Sequence, residues 1–174
     1  MKRILISLTL LIFNNQLLAQ NPSFNTGPVF DDFGAHAPVQ QTAPLSKDSR
    51  FKIAFDVAKK APESQRNRSM ESAARFINMQ VAAGVDVKNI ELAVVVHGQA
   101  VQDLVKPGEG QSPTLQSTMI QQLVRHGVRF YVCGQSAAYY QVRSTDLLRG
   151  INMSLSAMTA HALLQQEGYS LNPF

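Results

Sequence analysis

Phe130-Tyr131-Val132-Cys133-Gly134-Gln135-Ser136 is the stretch whose reading decides the fold. Val128 to Val132 is a short apolar run and reads as a buried strand. It leads into Cys133, the only cysteine in the chain. Gly134 follows, and the polar pair Gln135-Ser136 opens a short helix predicted to reach Val142. A strand that delivers a thiol to the mouth of a helix belongs to an alternating α/β pattern.

Working outward, the same alternation recurs on both sides. Phe51 to Val57 (FKIAFDV) alternates apolar and polar residues as a strand does. Pro62 and Glu63-Ser64 introduce a helix whose stripe is Met70, Ala73, Ala74, Ile77 and Val81, three and four residues apart, with Gly84 as its stop. Asn78, near the end of that helix, is placed either at the sheet edge, where it can meet a ligand, or on the surface. Ile90 to Val96 (IELAVVV) is almost continuously apolar, as suits a central parallel strand covered on both faces. It ends in His97-Gly98. Ala100 to Val105 adds a helical turn or two, and the Gly/Pro-rich run Lys106 to Pro113 is a loop. That loop lacks the Gly-Lys-Ser/Thr of a phosphate-binding loop. Thr114 to His126 forms a second amphipathic helix, with Leu115, Met119, Ile120, Leu123 and Val124 inward. Its His126 needs only the helix dipole to explain it. Beyond the opening stretch, Thr145 to Leu148 makes a turn and Ile151 to Leu155 a fourth strand. Ser156 caps a last helix, Ala157 to Glu167, in which His161 is a packing or surface residue, and Tyr169 to Leu171 ends the pattern as a short strand. Strands alternating with helices give a parallel sheet with helices on both faces, and ligands bind outside the carboxyl ends of such strands.

The amino-terminal part is of a different character. Met1-Lys2-Arg3 followed by the apolar run Ile4 to Phe13 and by Leu17-Leu18-Ala19 has the layout of a secretory signal peptide spanning 1–19, cut after Ala19. Its apolar run falls short of the roughly 20 residues that span a bilayer, so no membrane span remains after removal, and the expected location is the periplasm. Losing Lys2 and Arg3 lowers the formal charge from +4 to +2, which gives a nucleic-acid partner no electrostatic footing. Residues 20–50 carry Pro22, Pro28, Pro38 and Pro44 and cannot hold regular structure. Phe24, Val29, Phe30, Phe33 and Val39 are too apolar for a free linker, so this segment is read as an extended arm laid on the domain or on a neighbouring subunit, with a disordered tail as the alternative. Residues 51–174 form the single α/β domain, in keeping with a chain of 174 residues.

His97 and Cys133 are the residues that the pattern sends to the carboxyl edge, and they are the candidate catalytic pair. The exposed N–H groups of a helix start favour a thiolate. Gly134 and Gly98 allow close approach to the backbone, Gln135 and Ser136 can donate hydrogen bonds to an anion, and His97 can hold the proton. The opposing reading is an inert core thiol at a strand end, since cysteine is among the most buried residue types. No acid that would complete a triad is evident. One cysteine and four histidines give no metal-ligand spacing, and no cofactor or metal is expected.

Ala93-Val94-Val95-Val96-His97-Gly98, Val132-Cys133-Gly134-Gln135-Ser136 and Ser156-Ala157-Met158-Thr159 together resemble the DsrE/DsrF-like family. Arg75-Phe76-Ile77-Asn78-Met79, Gly168-Tyr169 and the Gly27-Pro28-Val29-Phe30 arm are similar to its exported single-domain branch. The resemblance implies a three-layer α/β/α sandwich of the YchN-like type with a mainly parallel sheet, assembled as a homo-oligomer, a trimer or hexamer. It also implies sulfane sulfur held as a persulfide on a cysteine, exchanged with a sulfur donor or acceptor protein, with Cys133 the matching thiol of the exported branch. Two departures stand beside it: the relay proteins are cytoplasmic, and their cysteine can lie elsewhere on the fold. The alternatives are a non-catalytic oligomeric binding protein for a small ligand, in which Cys133 is structural, and an assembly role carried by the arm.

Overall fold

The structure, a computed structural model, describes residues 23–172. The leader expected at 1–19 lies outside the described residues. Phe51–Val57 forms β1 and Ile90–Val96 forms β2, the two runs marked out by alternation and by valine content. Arg129–Cys133 (β3), Ile151–Ser154 (β4) and Ser170–Asn172 (β5) complete a sheet of five strands, all paired in parallel in the order β4-β3-β2-β1-β5. The helices are Arg68–Ala82 (α1), Leu115–Arg125 (α2), Gly134–Tyr139 (α3) and Ala157–Gln166 (α4). The protein is an α/β fold. No helix among the described residues is long and apolar enough to cross a membrane.

α1 begins later than Pro62-Glu63-Ser64 suggests. Its cap is Asn67, whose side-chain oxygen accepts from the N–H groups of Ser69 and Met70, two of the donors that a helix start leaves open. The Asn67 amide donates in turn to the Lys59 carbonyl and the Asp103 carboxylate. Those bonds hold the segment before Asn67 as a loop. α2 keeps its expected start, with Thr114 and Ser117 forming a reciprocal capping box. Leu115, expected inward, is exposed, whereas Met119, Ile120 and Leu123 are buried.

The strand order decides which helix covers which face. From β1 to β4 the chain moves one strand at a time in the same direction, and right-handed crossovers put those connections on one side of the sheet. β5 lies on the other side of β1, so the return through α4 crosses the opposite face. Two cores result. Phe55, Val57, Leu92, Val94, Val96, Phe130 and Val132 face α1 and α2 in a large apolar cluster. Ala54, Ala93 and Val95 meet Ala160, Leu164 and Tyr169 in a small one, with Tyr131 and Ala157 packed against it.

The arm adds to the large core of its own chain. Phe30 and Phe33 are buried and stacked with centroids 5.0 Å apart, and Phe30 also meets the His126 ring edge-on at 4.8 Å. Phe24 and Val39 are exposed. Asn78 is not at the sheet edge, nor on the surface. It is fully buried, and its side chain accepts from the N–H groups of Val29 and Phe30 and donates to the carbonyls of Phe30, Phe33 and Gly34. A loop carries unpaired peptide groups, and one buried amide with both donor and acceptor ends satisfies several at once.

Candidate functional site at the carboxyl edge

Side chains alternate along a strand, so Asp56 shares the α4 face with Ala54, and Cys133 shares it with Tyr131. Val96 on β2 pairs with Val132 on β3. His97, just past the end of β2, and Cys133, at the end of β3, follow this pair. From above, α4 brings its cap Ser156 and, one turn in, His161. These groups, with Ser136 from α3, line a cavity of about 300 Å³ at the carboxyl edge. Three strand ends and the helix that crosses them therefore meet where this fold class binds ligands.

Cys133 is 6% exposed. Burial opposes ionisation of its thiol, but the Ser136 hydroxyl and the N–H groups of Ser136, Ala157 and Gln135 outweigh it, and the pKa lies below the ordinary thiol value. These donors come from the first turns of two helices, α3 after β3 and α4 after β4. The Ser136 oxygen accepts from the Gly98 N–H at 3.0 Å, which fixes the hydroxyl that serves the sulfur.

Asp56 supplies the acid that the sequence reading lacked. Its Oδ2 lies 2.9 Å from His97 Nε2 and its Oδ1 2.8 Å from His161 Nε2. One carboxylate thus holds two imidazoles, one from the end of β2 and one from α4. Burial works against the charge, yet the bonds from His97 and His161 and their fields keep the Asp56 carboxyl below its ordinary value. An ionised carboxylate only accepts hydrogen bonds, so Nε2 of each ring carries a proton. Neither ring's Nδ1 has a protein partner among the described residues.

The structure brings together His97, Cys133, Gln135 and Ser136 of the expected set, and Gln135 is fixed by a bond from its amide to the Leu155 carbonyl. It sets the glycines apart. A Cβ on Gly134 would stand 2.6 Å from the Ser154 carbonyl oxygen, and one on Gly98, at φ +53°, would stand 2.9 Å from that of Ala58. At both positions the absence of a Cβ lets the chain pack against its own backbone. Asn78 belongs to the arm, as described above. The residues missed are Asp56 and His161, 105 positions apart. The signal for Asp56 is a charge near the end of a strand in a sheet expected to be covered on both faces. For His161 no local signal exists, because its role depends on where α4 crosses. Among the described residues no group of three or more His, Cys, Asp or Glu side chains is placed to hold a metal ion.

The fold has solved counterparts. The protein of unknown function MTH1491 from Methanobacterium thermoautotrophicum superposes with a TM-score of 0.55 at 20% identity, covering 71% of this chain and 99% of its own. The ychN protein from E. coli gives 0.53 at 14% identity, with 71% and 100% covered. At such identities the likeness concerns the fold. No curated protein matches the chain. The sequence model of the DsrE/DsrF-like family matches residues 52–173, a range that takes in all of the sheet but Phe51 and every residue of the thiol cavity, and the chain belongs to the DsrE/DsrF-like family.

Proposed function

We propose that the protein carries sulfane sulfur as a persulfide on Cys133. Membership of a family associated with sulfur relay supports the reading. The observation that carries it is the set of donors around the sulfur: the Ser136 hydroxyl and three N–H groups from two helix starts, which stabilise negative charge there. Such a set suits a thiolate before the reaction and the terminal sulfur of Cys–S–S⁻ after it. The thiolate attacks the outer sulfur of a donor R–S–SH; the new Sγ–S bond forms as the donor S–S bond breaks, and the electron pair leaves on R–S⁻. No outside oxidant is needed. One cysteine suffices for carriage, whereas a dithiol redox cycle needs two.

Export and assembly are part of the proposal. The 1–19 leader would place the carrier in the periplasm, among oxidants of free thiols, where a cysteine only 6% exposed is shielded. Self-assembly as a trimer or hexamer is supported by Leu155, Met158 and Leu163, large apolar side chains exposed on and beside α4; light scattering on the mature chain tests it, and a monomer contradicts it. The same low exposure favours a second reading, a ligand-binding protein with a structural thiol. Intact-mass measurement after treatment with polysulfide separates the two. Sulfur added to Cys133 and absent from Cys133→Ser is the expected result. An unmodified wild-type chain, with Cys133→Ser retaining any ligand affinity, supports the second reading and removes the first.

A further inference from the structure

A second depression in the surface runs beside α2, on the side of the sheet that α1 and α2 cover. It has a volume of about 570 Å³ and shares no lining residue with the thiol cavity. Three cations line it, Lys106, Arg125 and Arg149, and no aspartate or glutamate does. Each comes from a different part of the chain: the segment after β2, the last turn of α2 and the turn before β4. Among the described residues none of the three is ion-paired.

The backbone that carries these cations is fixed. Leu104 to Lys106 runs antiparallel to Asp146 to Leu148 through the bridge of Val105 with Leu147. There the Lys106 N–H donates to the Asp146 carbonyl and the Leu148 N–H to the Leu104 carbonyl, both at 2.9 Å. The Gln121 amide donates to the Arg149 carbonyl, also at 2.9 Å. Gly150, at φ +85°, brings that turn so close to α2 that a Cβ would stand 2.7 Å from Val124 Cγ1. Leu147 and Leu148 are buried and close the floor. Two acids stand nearby in the chain. Asp146, whose charge acts on Lys106, is already held through both carboxylate oxygens by Arg143. Glu109 is exposed in the loop after Lys106 and does not line the groove. The positive charge of the groove is therefore left without an internal counterpart.

We infer that this groove binds an acidic peptide segment of a partner protein in extended form. A guanidinium without a partner offers two parallel donors to a carboxylate, and complementary charge gives such contacts their specificity. The charges are spread along the groove rather than gathered at one point. Ser117, Gln121 and Arg125 follow along α2 four residues apart, over about 12 Å, a length that an extended chain covers with about four residues. The Arg149 backbone is tied to Gln121, and Arg125 is one helical turn, about 6 Å, further on. Alternate side chains of an extended peptide lie ~6.6 Å apart, so acids at every second position match that spacing. The Thr118 hydroxyl, exposed on the same helix, adds a hydrogen-bonding group for the peptide backbone. A single small anion would neutralise one cation and leave the others unopposed.

The test is calorimetric titration of the mature full-length chain with a capped pentapeptide that alternates glutamate and serine, beside the same peptide with glutamine for glutamate. The acidic peptide is expected to bind at least about tenfold tighter than its glutamine counterpart, with an advantage that shrinks as salt is added. Arg125→Ala and Arg149→Ala should each weaken it by about twofold to fivefold, as exposed ion pairs do, and the double variant by about tenfold. Arg68→Ala removes an exposed arginine of α1 outside the groove and changes the net charge equally, so it should bind as the wild type does. Equal binding of the two peptides, no binding of either, or a loss in Arg68→Ala as large as in Arg149→Ala overturns the inference. Displacement of the peptide by an equal concentration of phosphate also overturns it, in favour of a site for a small anion. The carrier reading is decided separately, by the mass of Cys133.

Discussion

The two faces of the sheet are built for different work. One is covered by α1, α2 and the arm, and its core is large and apolar, with Phe30, Phe55, Phe130, Met70, Met119 and Ile120 all buried. The other is crossed by a single helix of 10 residues over the small side chains of Ala54, Ala93 and Val95. Its remaining positions are polar and bridged: Arg129 to Glu167 and to the Tyr131 and Tyr169 hydroxyls, Lys52 to Glu91, and Asp56 to its two histidines. The contrast follows from topology, because only one connection has to return across that face. Stability is concentrated on the thick face. On the thin one, titratable groups can gather without burying charge in a continuous apolar core, where it would be costly.

That division can be broken first on the thick side. Phe30→Ala removes a fully buried ring and should cost about 3–5 kcal/mol in a denaturant titration. Cys133 alkylation in the surviving native state should stay at the wild-type rate. Asn78→Ala leaves peptide groups of Val29, Phe30, Phe33 and Gly34 without their partner, at about 1–3 kcal/mol for a buried unsatisfied group. Its mark is loss of hydrogen-exchange protection confined to the arm. A change in Cys133 reactivity from either substitution would mean that the two faces are not separate.

On the thin side the effects on stability are smaller and those on reactivity larger. Gly134→Ala sets a Cβ against the Ser154 carbonyl, which the backbone must relieve at about 1–3 kcal/mol. Because the strain falls beside Cys133, its alkylation rate should move with it. Asp56→Asn should have the least effect on stability, and a pH-dependent one. The folded-state pKa of Asp56 is depressed, so its contribution is present above the unfolded carboxyl value and is lost as pH falls through the folded one. Melting temperatures of wild type and Asp56→Asn should therefore converge on acidification. A gap that widens toward acid pH would contradict the bonding given to Asp56.

What the sequence made legible follows the same division. The strands of the thick core announce themselves through Ile90–Val96 and the alternation of Phe51–Val57, because burial on a face imposes a local pattern. The position of His97 and Cys133 at the carboxyl edge could be read because each lies at a strand end. The start of α1 could not, since Asn67 is recruited as cap by Lys59 and Asp103 from outside the helix. Asn78 reads as a sheet-edge or surface residue because nothing near it in sequence reveals the arm, 44 to 49 positions away, whose peptide groups it satisfies. Asp56 and His161 meet only through the path of α4 over the sheet. Residues defined by one long-range contact leave no periodic trace.

The central claim is that Cys133 is an activated thiol on the thin face, and the pH dependence of its alkylation by iodoacetamide tests it most directly. The donors around the sulfur predict a single titration with its midpoint below that of an ordinary thiol, moving upward in Ser136→Ala. A midpoint at or above the ordinary thiol value, unmoved by Ser136→Ala, would contradict it.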